Sequence, residues 1–135
     1  MQPGITAGMT VEAKNVEPGT YQGRRGDIVV LVPPVSWPKG PGDVLVRRVI
    51  ATGGETVACC DRAGRITVDG APLDEPYVVT KAPLDLPGAD CDGRRMEQVT
   101  VPLDQLFVMG DARPTVDSTC RGPVPASSVV GIVVS

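Results

Sequence analysis

The sequence contains no histidine. This absence excludes Ser-His-Asp and Cys-His catalysis, and it removes the commonest protein ligand for zinc. The four cysteines also lack the Cys-x-x-Cys spacing of a zinc site or a redox motif. We therefore expect neither a metal nor another cofactor, and a hydrolase built from this chain would need a different general base.

Aromatic residues are scarce, at 3% of the chain against 41% hydrophobic residues, so the core must consist mainly of Val, Leu and Ile. Sixteen glycines and fourteen prolines punctuate the chain at short intervals, which favours many short strands over helices. The net charge is -3 and the basic residues are scattered. Nucleic acid is therefore not an expected partner.

Long apolar runs are missing as well. No stretch approaches the ~20 apolar residues of a membrane span, and no charged-then-apolar signal segment precedes Gly4. We expect one soluble domain over residues 1–135, with an N-terminal arm at 1–25 and a surface loop at 81–95. The expected location is cytoplasmic, or extracytoplasmic if a membrane tether has been trimmed away. The oligomeric state stays open.

Cys59 and Cys60 are adjacent and point to opposite faces of a predicted strand. At most one of them could therefore join Cys91 or Cys120 on a given side. Reduced, partly buried thiols are the expectation for an intracellular chain, with a disulfide as the alternative.

Alternating apolar residues and Gly/Pro turns predict a mostly β, antiparallel fold with little helix. Asp69-Gly70 is a strong hairpin signal. The predicted strands are Thr6–Val11, Ile28–Val32, Val44–Ile50, Glu55–Cys60, Arg65–Val68, Ala71–Val79, Gln98–Val101, Leu106–Met109 and Val129–Val134.

Arg47 lies in the middle of the strand predicted at Val44–Ile50, on the same face as Leu45 and Val49. A buried charge needs a partner, so Arg47 either pairs or faces a cleft. The alternative is a charge on an edge strand that points to water. Trp37, in the Pro- and Gly-rich loop that precedes this strand, is either a packing lid or part of a ligand site.

Several motifs in order resemble the catalytic core of bacterial type I signal peptidases, especially the actinobacterial branch. The resemblance covers residues 26–134 and implies a coiled, mostly antiparallel β domain that is normally tethered by an N-terminal transmembrane segment. The motifs are Gly26-Asp27, Val46-Arg47-Arg48-Val49-Ile50, Gly54-Glu55-Thr56-Val57, Gly70-Ala71-Pro72-Leu73-Asp74-Glu75-Pro76-Tyr77, Val101-Pro102, Val108-Met109-Gly110-Asp111-Ala112-Arg113, Asp117-Ser118 and Gly122-Pro123-Val124-Pro125.

The resemblance implies a serine nucleophile just before a methionine, and a lysine general base. This sequence has Gly8 before Met9 in the first place and Arg47 in the second. Glycine supplies no nucleophile, and the neutral fraction of arginine near pH 7 is about 10⁻⁵ or less. Residues 114–116 also depart from the family pattern of Asp-Asn-Ser. We therefore predict that Ser/Lys proteolysis has been lost.

An active enzyme with a displaced pair stays open as an alternative. Lys14 or Lys39 would then act as the base, with Thr6, Thr10 or Ser36 as the nucleophile. Effective acyl transfer requires such a pair to lie within hydrogen-bond reach.

Two uses of the scaffold remain if proteolysis is lost. The first is an enzyme that acts on a small apolar molecule, in a cyclisation or isomerisation of a biosynthetic pathway, with shape and hydrogen-bond donors in place of a nucleophile. The second is a non-catalytic protein that binds an extended peptide along a strand edge. The resemblance implies a cleft for small apolar side chains, with a floor that includes Ile28, Val30, Val44 and Val46.

The residues expected in that site divide into a catalytic and a binding group. The catalytic group places Arg47 as a fixed cation, with Asp111 and Asp117 as its supporting partners. The binding group comprises Gly8, Met9, Trp37, Arg113 and Ser118. The structural alternative is that Asp111 and Arg113 pair within their own Gly-Asp-x-Arg turn, and we expect Arg48 to be a structural partner.

Overall fold

The computed structural model describes residues 13–17, 19–37, 44–78, 96–111, 113 and 117–134. Within these residues the chain forms two antiparallel sheets and little helix, which confirms the predicted fold class. The elements are β1 (Ala13–Asn15), β2 (Ile28–Leu31), β3 (Leu45–Thr52), β4 (Thr56–Cys59), β5 (Ile66–Val68), β6 (Ala71–Pro72), β7 (Met96–Thr100), β8 (Gln105–Met109), α1 (Ser118–Arg121), β9 (Val124–Pro125), a 3₁₀ turn (Ala126–Ser128) and β10 (Val129–Val133).

The larger sheet has the strand order β1-β10-β2-β3-β8-β9, and the smaller has the order β6-β5-β4-β7. β3 therefore lies inside the larger sheet, between β2 and β8. The β3–β8 ladder starts at Arg48, opposite Met109, and its register shifts between Val49 and Ala51. This bulge lets Val49 face one side of the sheet while Ile50 and Ala51 both pack into the other.

Each face of the larger sheet covers its own core. The first core contains the side chains on the face of Arg47, and the second lies between the two sheets. The first comprises Tyr21, Val29, Leu31, Trp37, Leu45, Val49, Leu106, Val108, Val124 and Val129. The second comprises Ile50, Ala51, Val57, Cys59, Ile66, Val68, Val101, Phe107 and Met109. Phe107 is the single phenylalanine of the chain and is fully buried. Because aromatic residues are scarce, β-branched residues fill much of both cores.

The hairpin predicted at Asp69-Gly70 is confirmed. Both residues have positive φ, 51° and 82°, as a two-residue type I′ turn requires, and they join β5 to β6. The strand predicted over Ala71–Val79 is wrong, because β6 ends at Pro72. The chain then turns, with Val78 N donating to Glu75 O at 3.2 Å, and Pro76 in this segment has no N–H for a ladder.

At the N-terminal side, the strand predicted at Thr6–Val11 lies outside the described residues. The described part of the predicted arm includes β1, which pairs with β10 at the edge of the larger sheet. The loop predicted at 81–95 also lies outside the described residues.

The cysteines differ from the expectation. Cys59 is joined to Cys60 by a disulfide bond, and Cys120 is also disulfide-bonded. Reduced thiols are therefore the wrong prediction for these three residues. Strand alternation allowed at most one of Cys59 and Cys60 to join Cys91 or Cys120 on a given side, and it did not exclude a bond between the two neighbours.

Candidate functional site

Arg47 is held inside the larger sheet. It pairs across to Val29 on β2, and it shares a face with Leu45 and Val49, which are both buried. Its Nη1 donates to the carbonyl of Val46 at 2.8 Å. The alternative of a charge that points to water is wrong, because the Arg47 side chain is only partly exposed and shares its face with the first core.

Burial is the main influence on the Arg47 guanidinium. It lowers the pKa of Arg47, while the charge of Asp117 acts in the opposite direction. The charge of Asp117 thus acts to stabilise the charged form of Arg47, and the supporting role expected for Asp117 stays a prediction. The two residues come from β3 and from the N-terminal cap of α1, which the fold brings together.

Asp117 is almost fully buried and caps α1. Its carboxylate accepts hydrogen bonds from Thr119 N at 2.8 Å and from Gly110 N at 3.4 Å. Burial raises the pKa of Asp117, while the hydrogen bonds from Thr119 and the charge of Arg113 oppose this rise. Asp117 therefore fixes the end of β8 to α1 and binds a proton more readily than an exposed aspartate does.

This raised pKa predicts a pH dependence of stability. A carboxyl group with a higher pKa in the folded than in the unfolded state favours folding when protonated, so its contribution falls as pH rises above the ordinary carboxyl range. Relative to the Asp117→Asn variant, wild type should lose free energy of unfolding from about pH 4 upwards, by at most about 1.4 kcal/mol per pH unit. Urea unfolding of both proteins between pH 4 and pH 8 measures this. Parallel pH profiles for the two proteins would contradict it.

Asp111 does not support Arg47 in the way we expected. Both of its oxygens accept from the neighbouring Arg48, from Nε at 2.9 Å and from Nη2 at 2.7 Å. Arg48 also donates from Nη1 to the carbonyl of Gly26 at 3.2 Å. The reason is strand alternation: Arg48 points to the face of Met109 and Asp111, whereas Arg47 points to the opposite face. The structural role predicted for Arg48 is confirmed.

The predicted pair within the Gly-Asp-x-Arg turn is also wrong. Arg113 makes a two-pronged ion pair with Glu75, with distances of 3.0 Å and 2.7 Å, and its Nε donates to Gly110 O at 2.8 Å. Asp111 and Arg113 thus pair with different, distant parts of the chain. Both ion pairs are largely buried. The exposed side-chain fraction is 13% for Arg48 and 0% for Asp111. It is 7% for Arg113 and 13% for Glu75.

Sequence reasoning missed Glu75 and Tyr77 as functional neighbours. Tyr77 O–H donates to Glu75 at 3.1 Å, and the ring of Tyr77 lies 3.9 Å from the Arg48 guanidinium carbon. Both residues belong to the Asp74-Glu75-Pro76-Tyr77 motif, which carried the family resemblance but gave no sign of its partners. The contacts connect this segment to Arg48 and Arg113 at the end of the larger sheet.

The remaining predicted binding residues have different positions. Ser118 is buried and its Oγ accepts from Val108 N at 3.0 Å, so it joins α1 to β8. Trp37 is 3% exposed and packs in the first core, which favours the packing role over the ligand site. Gly8 and Met9 lie outside the described residues, and their roles stay predictions.

Of the residues proposed for a displaced pair, the structure describes only Lys14 and Ser36. Lys14 lies on β1, opposite Ile132, and is exposed. Ser36 is exposed in the turn that follows β2. The structure shows no hydrogen bond between these two described side chains. Thr6, Thr10 and Lys39 lie outside the described residues.

The cleft floor expected from the resemblance lies on the face opposite Arg47. Val30 is directly opposite Val46 in the β2–β3 ladder, and continuation of this register places Val32 opposite Val44. Val32 and Val44 are 39% and 54% exposed, and Val30 and Val46 are half-buried. We call these four residues the valine strip. Ile28, the other residue expected in the floor, lies opposite Arg48 in the same ladder. The floor and Arg47 therefore lie on opposite faces of the sheet, as the alternation along β3 requires.

The described residues show no group of three or more Cys, Asp or Glu side chains that could hold a metal ion. The charged groups of the site pair with one another and with backbone carbonyls. What the arrangement offers chemically is a fixed cation at Arg47, a buried carboxyl at Asp117 and an apolar strip on the other face of β3.

With this geometry in place, comparison with known proteins identifies the family. The model of the signal peptidase family, peptidase S26, matches residues 1–135. The chain belongs to this family. The predicted resemblance is thereby confirmed, including its actinobacterial character, because mycobacterial signal peptidases are among the relatives.

Two relatives and one solved structure illustrate the similarity. A probable signal peptidase I of Mycobacterium leprae is 51% identical over 71 residues, which cover 51% of this chain and 24% of that protein. Signal peptidase I of Mycobacterium tuberculosis H37Rv is 38% identical over 100 residues, which cover 64% of this chain and 34% of that protein. The crystal structure of a signal peptidase I from Enterococcus faecalis V583 superposes with a TM-score of 0.60 at 25% identity, covering 84% of this chain and 98% of that one.

The chain spans about a quarter to a third of the length of these two mycobacterial relatives. In the part of the S26 chain that the structure describes, no helix has the length and apolar character needed to cross a membrane.

Proposed function

We propose that this S26 chain does not cleave peptides by Ser/Lys chemistry and instead binds an extended peptide on the valine strip. The observation that carries the proposal is the residue at the base position. Arg47 stands in the middle of β3, with Nη1 held by Val46 O and with Asp117 nearby.

Arginine at this position is a poor general base. Burial lowers the pKa of Arg47, but the pKa of an arginine starts many units above neutral pH, and a working base needs a pKa near the operating pH. The same burial that tunes a lysine to this range leaves an arginine charged. With glycine at position 8, the sequence also supplies no hydroxyl at the position just before Met9, where the family has its serine.

The peptide-binding part of the proposal depends on the valine strip. Its exposed members, Val32 and Val44, continue the ladder of Val30 and Val46, so apolar side chains line a path of two strands. Side chains of an extended peptide alternate, so every second one can contact such a strip. The first residue of β3 that pairs with β8 is Arg48. In the ladder that the structure describes, residues 45–47 of β3 have no β8 residue opposite them.

The direct test is a cleavage assay. We expect no cleavage of a synthetic signal-peptide substrate under conditions where a mycobacterial signal peptidase I cleaves it to completion. A serine-directed acylating probe should label the control enzyme and leave this protein unlabelled in intact-mass spectra. Cleavage, or stoichiometric labelling of any serine or threonine, would contradict the proposal. The Lys14→Ala variant would then show whether Lys14 is the displaced base.

A second candidate is the non-hydrolytic enzyme for a small apolar molecule. The observation that favours it is the fixed cation at Arg47 beside the buried carboxyl of Asp117. Such a cation can stabilise a developing oxyanion without proton transfer, which suits a cyclisation or an isomerisation. The geometry favours this candidate less, because the apolar strip and Arg47 lie on opposite faces of β3.

A further inference from the structure

We infer that a cavity beside the β5–β6 hairpin of this protein binds a free amino acid with an aliphatic side chain. The cavity has a volume of about 290 Å³ and lies between the β5–β6 hairpin and the end of β8. Neither Arg47 nor the valine strip lines it. The inference is therefore independent of the proposed function.

The inner part of this hairpin cavity is apolar. Ile66 and Met109 line it and are almost fully buried in the second core. Leu73 and Val78 add two half-buried aliphatic side chains. These walls suit an aliphatic group of a ligand, since its transfer from water is favourable.

Two charges of the lining neutralise each other. Arg113 and Glu75 both line the cavity, and their two-pronged ion pair uses both carboxylate oxygens. Glu75 also accepts from Tyr77, and Arg113 also donates to Gly110 O. This pair therefore forms a neutral, rigid wall and leaves recognition of a charged ligand to other side chains.

Arg65 and Asp74 supply the remaining charges. The β5–β6 ladder ends with Thr67 opposite Pro72, and Leu73 N donates to Ile66 O at 2.8 Å, so Arg65 and Asp74 follow directly after this last contact on the two chains. The Arg65 side chain is 53% exposed and forms an ion pair with Asp61 through Nε, and its two terminal nitrogens remain for another acceptor. Within the described part of the chain, the structure shows no hydrogen bond or ion pair of the Asp74 side chain. Both Arg65 and Asp74 line the cavity.

A cation and an anion side by side match a zwitterion. The carboxylate of an amino acid would bind Arg65, its ammonium group would bind Asp74, and its side chain would enter the apolar part beside Met109. The volume corresponds to roughly ten water-sized groups, and leucine has about nine non-hydrogen atoms. A simple carboxylate or amine would satisfy only one of the two charges.

Calorimetric titration of the whole chain tests this inference. We expect saturable binding of L-leucine with a dissociation constant below about 1 mM. Isopentylamine and 4-methylpentanoate each lack one charged group and should bind at least about tenfold more weakly. The absence of saturable binding with L-leucine, or equal binding of the three compounds, would overturn the inference.

Variants locate the site. Arg65→Gln and Asp74→Asn should each weaken L-leucine binding about tenfold. Arg62→Gln is the matched control, because Arg62 is exposed in the same turn and does not line the cavity. Melting curves of all variants establish that they fold. Leucine binding that both Arg65→Gln and Asp74→Asn leave unchanged would overturn the assignment to this cavity.

Discussion

Replacing Arg48 with alanine is expected to lower the free energy of unfolding by about 3–5 kcal/mol. The change removes the two hydrogen bonds that Asp111 accepts at 2.9 Å and 2.7 Å. Asp111 has no exposed side-chain surface, so its carboxylate would lose its partner without gaining water. A buried, uncompensated charge is among the costliest defects that a single substitution produces.

Arg25→Ala is the matched control for this prediction. Arg25 pairs with Glu55, but its side chain is 46% exposed, and exposed ion pairs contribute about 0–1 kcal/mol. Urea unfolding at pH 7 of wild type and both variants gives the comparison. A loss for Arg48→Ala as small as the loss for Arg25→Ala would show that the Arg48–Asp111 pair does not hold the end of the sheet together.

The large expected effect follows from where Arg48 lies. Its guanidinium contacts Asp111 after β8, Gly26 before β2 and the ring of Tyr77 after β6. Tyr77 and Arg113 both contact Glu75, and Arg113 contacts Gly110. These contacts form a closed ring that fixes the segment after β6 to the larger sheet. Arg47, the next residue on β3, is positioned by the same strand.

Local pattern was enough to predict much of the fold. The alternation of Leu45, Arg47 and Val49 on one face depends only on the period of two of a strand, and the structure has it. The Asp69-Gly70 turn was equally local, because its backbone conformation is a property of two residues. Strand order was beyond such reasoning, and the family resemblance supplied only the fold class.

The pairing of charges could not be predicted in this way. Arg48 and Asp111 are 63 residues apart, and Arg113 and Glu75 are 38 residues apart. Which arginine meets which carboxylate depends on the β3–β8 register and on the path of the chain after β6. A Gly-Asp-x-Arg turn offers its own local pair, and the fold overrides this pair because two better, bidentate partners are available.

The same alternation that placed Arg47 correctly also separated it from the expected cleft floor. Val46 precedes Arg47 by one residue, so the two side chains must lie on opposite faces of the sheet. A function that needs both the apolar floor and Arg47 therefore requires a ligand that contacts the two faces of β3 at once. A ligand that contacts only the strip requires no such path, and this is why the geometry favours peptide binding.

The strip makes Val44 the sharpest point at which to test the proposed function. Val44→Glu should weaken binding of an extended, fluorescently labelled peptide with alanine at alternate positions by about a hundredfold, because peptide binding would bury an unpaired carboxylate. Val44 is 54% exposed in the unliganded protein, so the substitution should leave the melting temperature nearly unchanged. Fluorescence anisotropy gives the dissociation constants, and thermal melting verifies the fold.

Val35→Glu is the matched control, because Val35 is 88% exposed in the turn after β2 and lies outside the strip. It carries the same new charge and should leave peptide affinity within about twofold of wild type, since surface substitutions away from a contact change little. Equal losses in both variants would mean that charge alone, rather than the strip, governs binding. Binding that is lost in Arg47→Gln but retained in Val44→Glu would move the ligand to the face of β3 that carries Arg47 and would favour the second candidate.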